Sequence, residues 1–207
     1  VLFASHYSAN ANGVNLSCAL DQKLCERCPE YQTIFPVEKF AENTGSLDIE
    51  ADQSEIIEEK YLLSGNVEVN SESLFLSADN VEVSSTDSSI LATGDVKFQD
   101  TSYLISSDYL SAARSDDKLI ATATNAIYQD YSTGLGGANG FTEIIKKTPN
   151  RILLTNSTYS LCPIDKNDWL IDANEIELNI KKNRGYADNA KVKFYGVPIF
   201  YTPKYSW

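Results

Sequence analysis

Methionine is missing from this chain of 207 residues, and histidine occurs once, as His6. With a single imidazole and no motif pairing a nucleophile with a base, an enzyme is not expected, and no cofactor is expected. No apolar run approaches the roughly 20 residues that a membrane-spanning helix needs. No helical period of useful length is present either. Positive charge is scarce. Between residues 41 and 100 fourteen acids stand against Lys60 and Lys97, and the whole chain has a formal net charge of −12. Nucleic acid needs a basic footprint, so no nucleic-acid partner is expected. The acids read as a solvated outer face that keeps the protein soluble. The end of the chain is more basic, with Lys181, Lys182, Arg184, Lys191, Lys193 and Lys204.

Cysteine is sparse but grouped: Cys18, Cys25 and Cys28 lie early and Cys162 stands alone. The Cys25-Glu26-Arg27-Cys28 spacing fits a redox motif or half of a zinc site. Zinc needs further ligands, and a redox motif of this type needs a βαβ setting that the chain lacks. Residues 1–11 (VLFASHYSANA) close on Ala9-Asn10-Ala11, which has the small-x-small form of a signal-peptidase site. They are expected to be the remnant of a signal peptide on an exported protein. Export favours disulfides, and four cysteines allow three full pairings. Residues 12–46 read as an irregular, cysteine-containing segment.

What dominates the chain is a repeat. SGNVEV, beginning at Ser64, returns as TGDVKF from Thr93, and LFLSADNVEV from Leu74 returns as YLISSDYLSA from Tyr103, both at an offset of 29 residues. A weaker copy follows at 120–130, and 169–178 and 186–194 repeat the two halves once more. Internal repeats decide architecture before any other feature. Within each unit apolar and polar residues alternate, the pattern of a strand with one shielded face. Asn66, Glu68, Phe75 and Ser77 fall on the face opposite Val67, Val69, Leu74 and Leu76. The alternation changes phase across Asp79-Asn80, which implies a bulge or bend. Gly65 and Gly94 inside strand patterns imply a kink or a close backbone approach. The expectation is an all-β meander of short antiparallel strands. Its inward residues are Leu63, Val67, Val69, Leu74, Leu76, Val81, Val83, Ile90, Val96, Phe98, Tyr103, Ile105, Leu110, Tyr128, Trp169, Ile171, Ile176, Leu178, Val192 and Phe194.

The last fifty residues carry more than a pattern. Ser160-Leu161-Cys162-Pro163 is followed by Trp169, then by Ala173, Ile176 and Leu178. Next come Gly185, Ala187, Asn189-Ala190 and Phe194, and the run ends in GVPIFYTP (196–203). This stretch resembles the LptD (OstA/Imp) family of lipopolysaccharide-assembly proteins, and with the repeats the resemblance covers nearly all of 47–207. It implies a V-shaped β-jelly roll over 47–194, at the periplasmic face of the Gram-negative outer membrane. It also implies a junction at 195–207, with Pro198 and Pro203, to an outer-membrane β-barrel. In such a protein lipid A acyl chains would occupy an apolar groove. Its lining would be Val67, Val69, Leu74, Leu76, Val81, Val96, Phe98, Tyr103, Ile105, Leu110, Trp169, Ile171, Ile176, Val192 and Phe194.

Lipopolysaccharide is then the cargo. The bridge protein LptA would dock by strand pairing at an edge marked by Ile49 and Ile57, and the lipoprotein LptE would meet the chain through the barrel. The resemblance also implies that an early cysteine and Cys162 pair with barrel cysteines, with Cys18, Cys25 and Cys28 all eligible for the early position. Two alternatives are a soluble bridge protein of the same system and a structural or adhesive β-domain with a packed core.

Overall fold

A computed structural model describes residues 32–42, 47–87, 89–115, 118–132, 137–164, 168–182 and 184–206. These form twelve strands: β1 (Asp48–Glu50), β2 (Gln53–Ile57), β3 (Lys60–Asn70), β4 (Leu74–Ser84), β5 (Ile90–Asp100), β6 (Tyr103–Ser115), β7 (Lys118–Asp130), β8 (Asn139–Thr148), β9 (Arg151–Tyr159), β10 (Trp169–Asn179), β11 (Arg184–Phe194) and β12 (Val197–Ser206). All belong to one sheet in which each strand from β3 onward pairs with the next, antiparallel throughout. β1 and β2 both pair with β3, β1 along its second half and β2 along its first.

The strands do not run straight. In every second one a residue with positive φ interrupts the extended backbone: Asn66, Asp95, Asn125, Asn156 and Asn189, in β3, β5, β7, β9 and β11. Short polar residues tolerate this left-handed conformation where bulky ones do not. In the strands between, Asp79, Asp108, Glu143 and Asn174 drop out of the register at the same level. These interruptions line up into a crease across the sheet. Its side chains are tied together, with Asn66 donating to Asp52 at 2.9 Å and Asn156 to Glu143 at 2.5 Å. Gly94 shows why the turn is sharp. Its φ is +78°, and an added Cβ would lie 2.3 Å from Asp79 Oδ2. Only glycine permits both the angle and the approach.

The crease divides the sheet into two limbs. The first holds residues 67–70, 74–77, 96–100, 103–107, 126–130, 139–142, 157–159, 169–172 and 190–194. The second holds 60–64, 80–84, 90–93, 109–115, 118–124, 144–148, 151–155, 175–179 and 184–188. The limbs fold toward each other, which the register itself demonstrates. Lys147 shares a row with Ala121, Ala112 and Ile90, at the start of β5. Were β5 straight, its other end at Asp100 would be about 33 Å away. Lys147 Nζ nevertheless lies 2.6 Å from Asp100 Oδ2.

The twelfth strand occupies most of the segment expected to be a junction. It pairs with β11 from Val197 opposite Phe194 to Ser206 opposite Tyr186. Both prolines sit where the ladder is irregular: Pro198 beside the register shift at Val192/Lys193, and Pro203 opposite positive-φ Asn189. A residue without an N–H is tolerated at such points of an edge strand.

Candidate binding groove between two limbs of the sheet

The inner faces of both limbs form one apolar cluster. Of the residues expected to line a groove, Val67, Val69, Leu76, Val81, Val96, Phe98, Tyr103, Ile105, Leu110, Ile171 and Ile176 are buried in it. Leu74, Trp169 and Val192 pack against it half-buried, as do Val83, Ile90 and Leu178. Phe194 departs from the expectation. It is 38% exposed and meets Tyr195 edge-on, ring centroids 4.6 Å apart. It is the last residue of β11.

Alternation alone missed part of the cluster. Ala92, Ala112, Ala121, Ala123, Ala126, Ala173, Ala187 and Ala190 all belong to the cluster. Alanine carries little hydrophobic signal, yet five of these lie in the second limb and share the cluster with the large Phe98, Tyr103, Ile105 and Tyr128 of the first. Small against large lets two curved faces approach closely. Ile145, Ile152 and Leu154 of β8 and β9 complete the surface. Tyr128 is buried with its hydroxyl donating to the Thr158 carbonyl at 2.8 Å, and burial raises its pKa well above the ordinary tyrosine value.

Polar groups appear where the limbs end. Asp100 follows Phe98 by two residues and Lys147 follows Ile145 by two, so both continue the inner face. Their ion pair is mostly covered, with 18% and 16% of the two side chains exposed. The Tyr103 ring lies 5.7 Å from Lys147 Nζ. The Tyr103 hydroxyl is held protonated, chiefly by burial and then by the charges of Asp130 and Asp100.

The outer face of the first limb holds a feature not anticipated. Phe75 falls on the face expected to be wet, yet it and Leu104 are both buried. They belong to a row that runs Asn70, Phe75, Gln99, Leu104, Gln129, Asn139, Ser160 across the strands. Residues 32–41 run along this row, across the strands, as a strap pinned by the amides in it. Gln129 accepts from the Ile34 N–H at 2.9 Å and donates to the Gln32 carbonyl at 2.8 Å. Gln99 accepts from the Glu38 N–H and donates to the Glu38 carbonyl, both at 2.8 Å. Asn70 accepts from the Ala41 N–H at 3.2 Å and donates to the Lys39 carbonyl at 3.0 Å. Phe35 is buried in the strap. The repeat itself spaces these amides, 29 and 30 residues apart, on every second strand. Alternate strands are about 9.6 Å apart, close to the reach of three or four extended residues. At the far end of the row Asn139 donates to the carbonyl of Cys162 at 2.8 Å. Cys162 is buried and disulfide-bonded, whereas Cys18, Cys25 and Cys28 lie outside the described residues.

Ile49 and Ile57, expected to mark a docking edge, are exposed on β1 and β2. Those two strands form the open edge of the sheet beside β3. The opposite edge, β12, exposes Val197, Ile199, Phe200, Tyr201 and Tyr205.

The chain is similar to known proteins. The LPS-assembly protein LptD of Pseudoalteromonas atlantica is 27% identical over 192 residues, 92% of this chain and 24% of that protein. Its counterpart in Idiomarina loihiensis is 27% identical over 180 residues, 86% of this chain and 23% of that protein. The chain thus spans about a quarter of the length of these relatives. The crystal structure of LptH, the LptA homologous periplasmic component of the lipopolysaccharide transport device from Pseudomonas aeruginosa, covers 78% of this chain and 94% of its own, at 11% identity and a TM-score of 0.28. The model of the family described as LptA/(LptD N-terminal domain) LPS transport protein matches residues 48–184. With its repeats, its creased all-β sheet and a match over most of its length, the chain belongs to that LPS transport family.

Proposed function

We propose that this chain is the periplasmic part of a lipopolysaccharide transport protein of the outer membrane, and that lipid A acyl chains travel between its two limbs. The supporting observation is the inner face, which is apolar and continuous from β3 to β11 and is joined into one sheet along the crease. Sugars and phosphates remain outside the mouth, where the limbs end. Each methylene taken from water contributes roughly 0.8 kcal/mol. Apolar contacts have no preferred axis, so a chain slides from one position to the next as another follows it. In this reading direction comes from upstream supply. The edge made by β1 and β2 receives the bridge protein LptA by strand addition, since an open edge offers unpaired N–H and C=O groups. The β12 edge leads toward a barrel, through which LptE is met.

A second reading is favoured by the close burial of the inner residues: a packed core, with the domain serving as a docking platform. Photocrosslinking in cells at Phe98, Ile105 and Ile171 of the full-length protein separates the two, with Lys97 and Glu177 as outward controls. Lipopolysaccharide adducts at the first three positions alone are expected. Adducts at none of them, with the protein correctly assembled, would leave only the docking platform.

A further inference from the structure

We infer that Lys147 and Asp100 form a latch across the mouth between the two limbs, and that an apolar chain passes sideways through the mouth only when the latch is open. The first half of this inference rests on geometry alone. The second half rests on the acyl-chain reading proposed above.

Four observations carry it. The two residues belong to strands separated by two others, and to opposite ends of their rows, so their contact exists only because the limbs close. Both lie on the inner face, as the last inward positions of their limbs before a turn. The acceptor is held rigidly. Asp100 Oδ1 receives the N–H groups of Ser102 at 2.9 Å and Tyr103 at 2.8 Å, and the Tyr131 hydroxyl donates to the Asp100 carbonyl. That leaves Oδ2 for Lys147. The donor is not held so: it hangs on a flexible four-carbon stem, with the Tyr103 ring beside it. One fixed anchor and one mobile arm make a contact that opens by rotating a single side chain.

The chemistry suits a gate better than a clamp. An ion pair at a partly covered position trades protein contact for water at little net cost when it opens. An apolar contact at the same place would offer an arriving acyl chain one more surface to bind. A charged pair instead turns the chain away until the arm swings out, because the pair cannot be desolvated further by hydrocarbon without penalty.

The test uses three variants of the 207-residue chain. Lys147→Met keeps the stem over Tyr103, Asp100→Asn keeps an oxygen for the turn N–H groups, and the third combines both. Lys97→Met, which removes an exposed lysine paired with Asp95, is the control. Spin labels on genetically encoded azide residues at Thr101 and Pro149 report the distance between limb ends by pulsed EPR. Both single variants and the double are expected to move population to longer distances by the same amount, and Lys97→Met to leave the distribution unchanged. Unchanged distances in Lys147→Met and Asp100→Asn overturn the latch. So do additive effects in the double variant, because partners in one contact cannot be removed twice.

Stopped-flow entry of anthroyloxy-stearate then reads the gate. Entry is expected about two- to fivefold faster in all three latch variants, the scale allowed by loss of one partly covered ion pair. Equal entry rates with opened limbs overturn the gating half. If limb distances respond but no protein takes up the probe, the latch stands and the acyl-chain reading falls.

Discussion

Gln99 holds Glu38 by both ends of its amide, accepting from the Glu38 N–H and donating to the Glu38 carbonyl, each at 2.8 Å. The pair is separated by 61 residues in sequence, and Gln99 is fully buried beneath the strap. Replacing Gln99 by Leu leaves both backbone groups of Glu38 without a partner at a part-buried site. The expected cost is about 1–3 kcal/mol. Hydrogen exchange at the Glu38 amide should accelerate strongly while amides in β9 and β10 stay protected. Unchanged exchange at Glu38 would mean that the amide row does not hold the strap.

Glycine at the crease answers a different question. Gly94 and Gly196 have nearly the same φ, +78° and +77°, but a Cβ at Gly196 meets nothing within 4 Å. Gly196→Ala therefore carries only the left-handed backbone cost, about 1 kcal/mol. Gly94→Ala adds a clash with the Asp79 carboxylate and should cost at least twice that, roughly 2–3 kcal/mol. Urea unfolding of the two variants side by side checks the ratio. Equal midpoints would place no strain at the crease.

Stability should fall in alkali for a definite reason. Burial raises the pKa values of Tyr103 and Tyr128, and the Asp130 and Asp100 charges add to the effect at Tyr103. In the unfolded chain these hydroxyls ionise near pH 10. The folded form keeps its protons longer, so their contribution is complete below about pH 10 and is lost as the pH rises through the folded values. Urea midpoints measured between roughly pH 8 and 11 should be flat and then decline. Tyr103→Phe combined with Tyr128→Phe should flatten the decline; the same slope with both hydroxyls gone would assign it to other groups.

The open edge makes a prediction about assembly rather than stability. Ile49 and Ile57 are exposed, so Ile49→Asp and Ile57→Asp should change stability by no more than about 0.5 kcal/mol. Capture of the bridge protein LptA by the full-length protein should nevertheless fail. Normal capture with a charge at both positions would assign docking to another edge.

Much of this was legible in the residues in order. The 29-residue offset and the two-residue alternation specify short antiparallel strands, because each strand shields one face and wets the other. Gly94 and the phase change beside Asp79 already marked the bend. The GVPIFYTP ending pointed to the family, as did the cysteine and tryptophan before it, and the family model agrees over residues 48–184.

Other features had no signal of their own in sequence. Alternation assigned Phe75 to a wet face and was silent on Leu104. Both are buried because residues 32–41 return across the outside of the sheet, a contact between segments that no local period encodes. The alanines that share a cluster with Phe98 and Tyr128 are weakly hydrophobic one by one and matter only together. Lys147 and Asp100 read as one basic and one acidic residue among many. Strand geometry alone would hold them far apart, and only the folding of the sheet at its crease makes them partners.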